Sequence, residues 1–208
     1  MMFRFAAVSG LALITLAACD RGGDRRADPA PTPAPAAAPA PAQAPTPADP
    51  TVLTSEGLGA VRIGMTRAAL VDLWGDDSQP NAVGGPDPAT CDEFHPSRAP
   101  ADVRVMIQDG VLTRITLARG ATVKTDRGFG VGDAGMAIKK AYGGALFAQP
   151  HKYQSPPAED LFAWSKGGST DYVVDPGARG IRYEIGSDGK VAMVHAGDPS
   201  IQLVEGCS

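Results

Sequence analysis

Clustered basic residues are the first thing this sequence lacks. Its 208 residues carry 19 Lys and Arg against 23 Asp and Glu, a formal charge of −4, with no basic run. Phosphate contacts need clustered Lys and Arg, and adsorption to anionic lipid needs a polybasic segment, so the composition argues against both nucleic acid and a lipid surface as electrostatic partners. Histidine is nearly as scarce. His95, His151 and His195 lie far apart and share no metal-like spacing. There is no Gly-x-Ser-x-Gly elbow, no His-Glu-x-x-His pair and no phosphate-cradling loop. Gly128, Gly130 and Gly132 superficially suggest a dinucleotide fingerprint, but the spacing is wrong and no parallel-sheet pattern surrounds them, so they read as turn geometry. Asp92, Glu93 and His95 could approach a metal, yet on alternating strand positions only some would share a face. The expectation is a protein without catalytic residues, metal or cofactor, and therefore not an enzyme.

A membrane-length apolar run is also missing. The run from Phe5 to Leu16 is too short to span a bilayer, and with Arg4 before it reads as a signal peptide over residues 1–18. It ends in Leu16-Ala17-Ala18-Cys19, which resembles the bacterial lipobox. That resemblance implies a thioether-linked diacylglycerol on Cys19, cleavage before it, and acylation of the new N-terminus. The alternative is a plain signal peptide with an incidental cysteine. Several acyl chains anchor far more firmly than one, because each buried CH₂ adds about 0.8 kcal/mol. Asp20 is similar to the signal that keeps enteric lipoproteins in the inner membrane. The expected location is the cell envelope, with the domain in the periplasm and the inner membrane favoured over the outer.

Proline is abundant where a fold would not use it. Residues 19–50 hold the lipidation site and a linker in which Pro alternates with Ala, Thr and Gln, too poor in apolar surface to fold and biased to polyproline II. At about 3.1 Å per residue such a tether reaches up to roughly 90 Å. Beyond Cys19 only Cys91 and Cys207 remain. In an oxidising compartment a surviving pair is normally bridged, which would tie the end of the chain to the first half of the fold. Two separate buried thiols are the alternative.

The rest reads as one unit used twice, over residues 51–122 and 123–208. In the first, Ala60 to Ile63 is a short strand, Gly64 turns, Thr66 caps a helix, Leu70, Leu73 and Trp74 form its apolar stripe, and Gly75 stops it. Cys91 to His95 is the next strand candidate. Val103, Val105 and Ile107 then alternate into Asp109-Gly110, and Thr113, Ile115 and Leu117 alternate out, the pattern of a hairpin with a type I′ turn. In the second copy Gly132 turns, Asp133 caps, and Ala137, Ile138, Ala141 and Tyr142 form the stripe up to Gly143. Strand candidates at Leu161–Trp164 and Asp171–Val174 follow, then Ile181, Tyr183 and Ile185 lead into Asp188-Gly189, with Val191, Met193 and His195 leading out. The expected fold class is α+β, two tandem helix-plus-antiparallel-sheet repeats behind a disordered Pro/Ala-rich tether.

The few aromatics concentrate in the second half. Tyr153, Trp164, Asp171 and Tyr172 form the candidate binding surface, with Phe162 and Gln149 beside them, suited to a sugar ring or a protein hot spot. Phe162 and Trp164 could instead be core. Ile63-Gly64-Met65-Thr66, with its helix and Gly75, resembles small envelope lipoprotein domains of the outer-membrane assembly factor E type. The tandem plan resembles the β-lactamase inhibitor protein. Pro150-His151-Lys152-Tyr153 and Val204-Glu205-Gly206-Cys207-Ser208 look like a group of proteobacterial exported proteins, some loosely labelled lectins. These resemblances imply an envelope location and no catalytic residue. The expected function is a membrane-anchored, non-enzymatic envelope lipoprotein that binds a protein partner or assists assembly. The second candidate is a carbohydrate-binding module for cell-wall or surface glycan.

Overall fold

A computed structural model describes residues 52–167 and 172–208. The expected signal peptide, lipidation at Cys19 and linker, and Asp171, lie outside the described residues. The first half supplies β1 (Val52–Thr54), β2 (Gly57–Leu58), β3 (Val61–Arg62), α1 (Arg67–Trp74), β4 (Cys91–Phe94), β5 (Val103–Gln108) and β6 (Val111–Leu117). The second supplies β7 (Lys124–Thr125), α2 (Gly135–Tyr142), β8 (Phe147–Pro150), β9 (Glu159–Trp164), β10 (Gly180–Ile185) and β11 (Val191–Gly197), followed by a 3₁₀ turn over Pro199–Gln202. Among the described residues no helix is long and apolar enough to cross a membrane.

The architecture corrects the expected fold class. The molecule is β-rich, not a pair of α+β repeats. A four-stranded sheet has the order β3-β2-β1-β7, and a seven-stranded sheet has the order β4-β5-β6-β11-β10-β9-β8. The hairpins of the two halves join edge to edge, with β6 antiparallel to β11 and Ile115 opposite Ala196. The small sheet also mixes the halves, since β1 runs parallel to β7. Two reasons defeat the repeat. A hairpin kept to itself leaves an open edge of unpaired N–H and C=O groups, which the partner hairpin satisfies. The helices, eight residues each, are also too short to form a second layer: α1 buries only Leu70, and α2 only Gly135 and Ile138.

What recurs is local. Gly64 and Gly132 hold φ near +90° and +86°, a backbone region open to glycine. In the first passage Gly64 N–H donates to Leu112 O at 2.7 Å and Arg67 N–H to Gly110 O at 2.9 Å. In the second, Gly132 N–H donates to Val191 O at 2.8 Å and Gly135 N–H to Gly189 O at 2.9 Å. Each glycine turn thus clips a helix start onto an Asp-Gly hairpin. Thr66 caps α1 as expected, accepting from Ala69 N–H. Asp133 does not cap α2. The cap position belongs to Ala134, which makes no side-chain bond, while the Asp133 carboxylate accepts from Gly130 N–H and Lys124.

One face of the large sheet is apolar. Val103, Val105, Leu112, Ile115, Leu117, Leu161, Ile181, Tyr183 and Val194 pack there against Leu53, Leu58 and Val61 of the small sheet and against Leu70 and Ile138. Each such aliphatic side chain contributes about 1.5–3 kcal/mol when fully buried. An irregularity between Met106 and Ile107 places Leu112 opposite Ile107, so Leu112 joins the core, while the Thr113 hydroxyl donates to Met106 O. Tyr172–Val174 forms no strand, whereas Phe147–Pro150, not among the strand candidates, forms β8.

Candidate functional site: a charged pocket under the C-terminal tail

The other face of the large sheet carries the polar half of each alternation. Cross-strand neighbours there are Glu93 on β4, Arg104 on β5, Arg114 and Thr116 on β6, His195 on β11, Arg182 and Glu184 on β10, and Asp160 on β9. Such residues normally face solvent. Here residues 199–207 lie across them, and Arg114 and Arg182 are almost fully buried. The arginines serve that cover. Arg114 donates through Nη1 to Ser200 O at 3.1 Å and Leu203 O at 3.0 Å, and Arg182 donates to Ile201 O at 3.1 Å. Buried backbone carbonyls of an irregular segment need such donors.

The tail is pinned at its end as well. Cys91 and Cys207 are joined by a disulfide, with Cα atoms 5.4 Å apart. Gly206 passes so close to Glu93 that a Cβ there would fall 2.3 Å from its carboxylate. Lys152 and Glu205 close the rim with an exposed ion pair at 2.9 Å. Between sheet and tail remains a pocket of about 240 Å³, with Glu93, Arg104, Arg114, Glu184 and His195 as its polar lining and Val83, Met193 and Val204 as apolar patches.

Pairing within the pocket is uneven. Arg114 bonds Glu93 through Nη2, and its Nε has no partner. Arg104 Nε faces the same carboxylate at 3.3 Å, off hydrogen-bond geometry. Arg182 donates to Asp160 at 2.9 Å. Glu184 is ringed by Arg182, His151 and His195 at 3.4, 3.4 and 3.5 Å, long for N–H···O bonds. Burial first, then Arg104 and Arg182, bring Arg114 down to about 10, so it stays charged at neutral pH. Burial, with Arg114 and Arg182 nearby, takes His195 down to about 3. Burial would raise the Glu184 carboxyl, but His195, Arg182 and His151 outweigh it and hold it at about 2. At neutral pH the pocket therefore has ionised Glu184 and neutral His195.

A metal does not suit the two histidines. Tyr153 N–H donates to His151 Nδ1 at 3.0 Å, which leaves the ring proton on Nε2, the atom facing Glu184. Asp92 pairs with Arg67 at 2.6 Å and Glu93 with Arg114, on opposite faces of β4. No group of three metal-ligating side chains converges among the described residues.

The aromatic surface expected from the sequence is not one surface. Trp164 is 9% exposed and stacks on Phe162, with Ile201 against them, so both are core. Tyr153 and Tyr172 are exposed at 60% and 62%. Tyr153 lies edge-on to His151, with Lys152 over its ring. Reading the sequence overlooked Arg104, Arg114, Glu184 and His195 as a group. The available signal was charge of both signs at alternate positions of neighbouring strands, in a chain whose last cysteine draws the tail back.

No protein-family model matches the chain, and no curated protein does. A solved structure with partial likeness is an extracellular protein containing an SCP domain from Bacillus anthracis strain Ames, 14% identical with a TM-score of 0.40. The match covers 68% of this chain and 45% of that one, so this chain spans under half of its length. Likeness at that level assigns neither fold nor activity.

Proposed function

We propose that this protein is a membrane-anchored envelope lipoprotein, attached through Cys19, whose non-enzymatic periplasmic domain binds a protein partner. The observation that carries the reading is the outer edge of β8. This strand ends the seven-stranded sheet, and beside it runs a groove of about 380 Å³ lined by Met136, Ala148, Pro150, Pro156, Pro157 and Ala158. Met136 is 74% exposed. An extended segment of a partner can add to such an edge through backbone hydrogen bonds and lay apolar side chains in the groove. The bridged cysteines fit an oxidising compartment.

Carbohydrate binding is the second reading. It retains exposed Tyr153 and Tyr172 but no longer has Trp164 as a platform. A photo-crosslinker at Met136 or Ala148 in intact cells separates the two. Partner binding predicts a defined protein adduct from these positions and none from Pro88, in the loop before the opposite edge strand. Loss of that adduct in the presence of cell-wall oligosaccharide, or saturable retention of the domain on glycan, would favour the lectin reading and sink the first.

A further inference from the structure

We propose that the pocket under the C-terminal tail binds a small organic carboxylate, gripped by the Arg104 guanidinium with Arg114 and His195 beside it. The site is separate from the β8 edge and does not depend on the partner reading. Arg104 lines the pocket with its side chain 20% exposed, and its one ion pair is the off-line contact to Glu93. No hydrogen bond from its guanidinium reaches another group among the described residues. A planar fork held largely out of water with open donors suits a bidentate carboxylate. Arg114, in the same lining, keeps its Nε unpartnered but sealed from solvent, and contributes its charge rather than a reachable donor.

Charge and size narrow the ligand. At Glu93 two guanidiniums, Arg104 and Arg114, face one carboxylate, while farther along the sheet Arg182 alone faces both Asp160 and Glu184. Glu184, the other acid in the floor, is engaged by Arg182 and the two histidines. Glu205 is engaged by Lys152 at the rim. The pocket has room for about eight waters at roughly 30 Å³ each, enough for a small acid and too little for a glycan chain or peptide strand. Val83, Met193 and Val204 give a carbon skeleton apolar contact, which favours an organic acid over a bare inorganic anion.

Calorimetric titration of the disulfide-intact mature chain with succinate, citrate, glucuronate and inorganic sulfate tests this. The expected result is saturable, one-to-one binding of at least one organic acid, stronger than sulfate. Arg104→Gln should weaken it at least about tenfold. Arg104→Lys, which keeps the charge and loses the fork, should weaken it too. Both variants should melt near the parent, since Arg104 holds one imperfect ion pair. Binding of glucuronate alone assigns a sugar acid, and of succinate or citrate alone a free acid. Absence of saturable binding by every acid up to about 10 mM overturns the proposal. Sulfate binding as tightly as every acid, an adventitious ion only, overturns it, as does unchanged affinity in Arg104→Gln.

Discussion

Replacing both Cys91 and Cys207 by Ala should cost this domain several kcal/mol without undocking its tail. The bridge joins residues 116 apart in sequence. In the chain-entropy model, closing a loop that long removes about 16 cal/mol/K from the unfolded chain, or roughly 4.8 kcal/mol at 25 °C. The folded side should change little. Residues 198–203 keep the bonds of Arg114 and Arg182 to their carbonyls, and Asp198 N–H keeps its bond to Thr113 O at 3.1 Å. In a domain of this size 1 kcal/mol lowers Tm by about 2–4 °C, so a fall on the order of 10–20 °C is expected. Urea unfolding followed by tryptophan fluorescence is a suitable assay, because Trp164 is buried against Phe162. The m value should rise, since the unbridged unfolded chain exposes more surface. Amide exchange should show the tail still protected under native conditions. A loss below about 1 kcal/mol, or a tail that exchanges freely in the folded variant, would refute the reasoning.

Three further outcomes follow from particular contacts. Arg182→Met strands Asp160 in the interior and should destabilise by about 3–5 kcal/mol, while Arg182→Met with Asp160→Leu should regain much of that, read as urea midpoints. His195 has its folded pKa depressed from the ordinary histidine value to about 3, so its contribution is present above pH 6.5 and is lost as pH falls from there toward 3. The parent should therefore lose stability between pH 6.5 and 5, before Glu184 begins to titrate below pH 4.5, and His195→Gln should flatten that slope. Ala134→Ser gives α2 the cap it lacks and should stabilise by about 0.5–1 kcal/mol in the same assay, whereas Thr66→Ala should cost about 1 kcal/mol.

Local structure was legible because its signals are local. Gly64, Thr66, Asp109-Gly110 and Asp188-Gly189 each fix a turn or a cap by their own backbone or side-chain chemistry, and both hairpins lie where period-2 alternation puts them. The sheet order was not legible. Nothing in Val111–Leu117 or Val191–Gly197 says that these strands seek each other, so alternation alone leaves the two halves as separate repeats. The charged pocket was hidden for a related reason. Arg182 and Glu184 alternate with Ile181, Tyr183 and Ile185 as solvent-facing residues do, and only the covering tail makes them interior. Trp164 was ambiguous for want of the same information, because Ile201, which packs against it, lies far away in sequence.

The disulfide also decides how the domain takes up force. Any tension arriving along the chain from the linker side enters at β1, which is held by short pairings to β2 and β7. All seven strands of the large sheet lie between Cys91 and Cys207. Between a load on residue 52 and a grip on the C-terminal tail, only residues 52–90 can be drawn out, at up to roughly 3.5 Å per residue. The small sheet then acts as a mechanical fuse. It can lengthen while the covalent loop keeps the pocket's strand residues, Glu93, Arg104, Arg114, Glu184 and His195, out of the line of force.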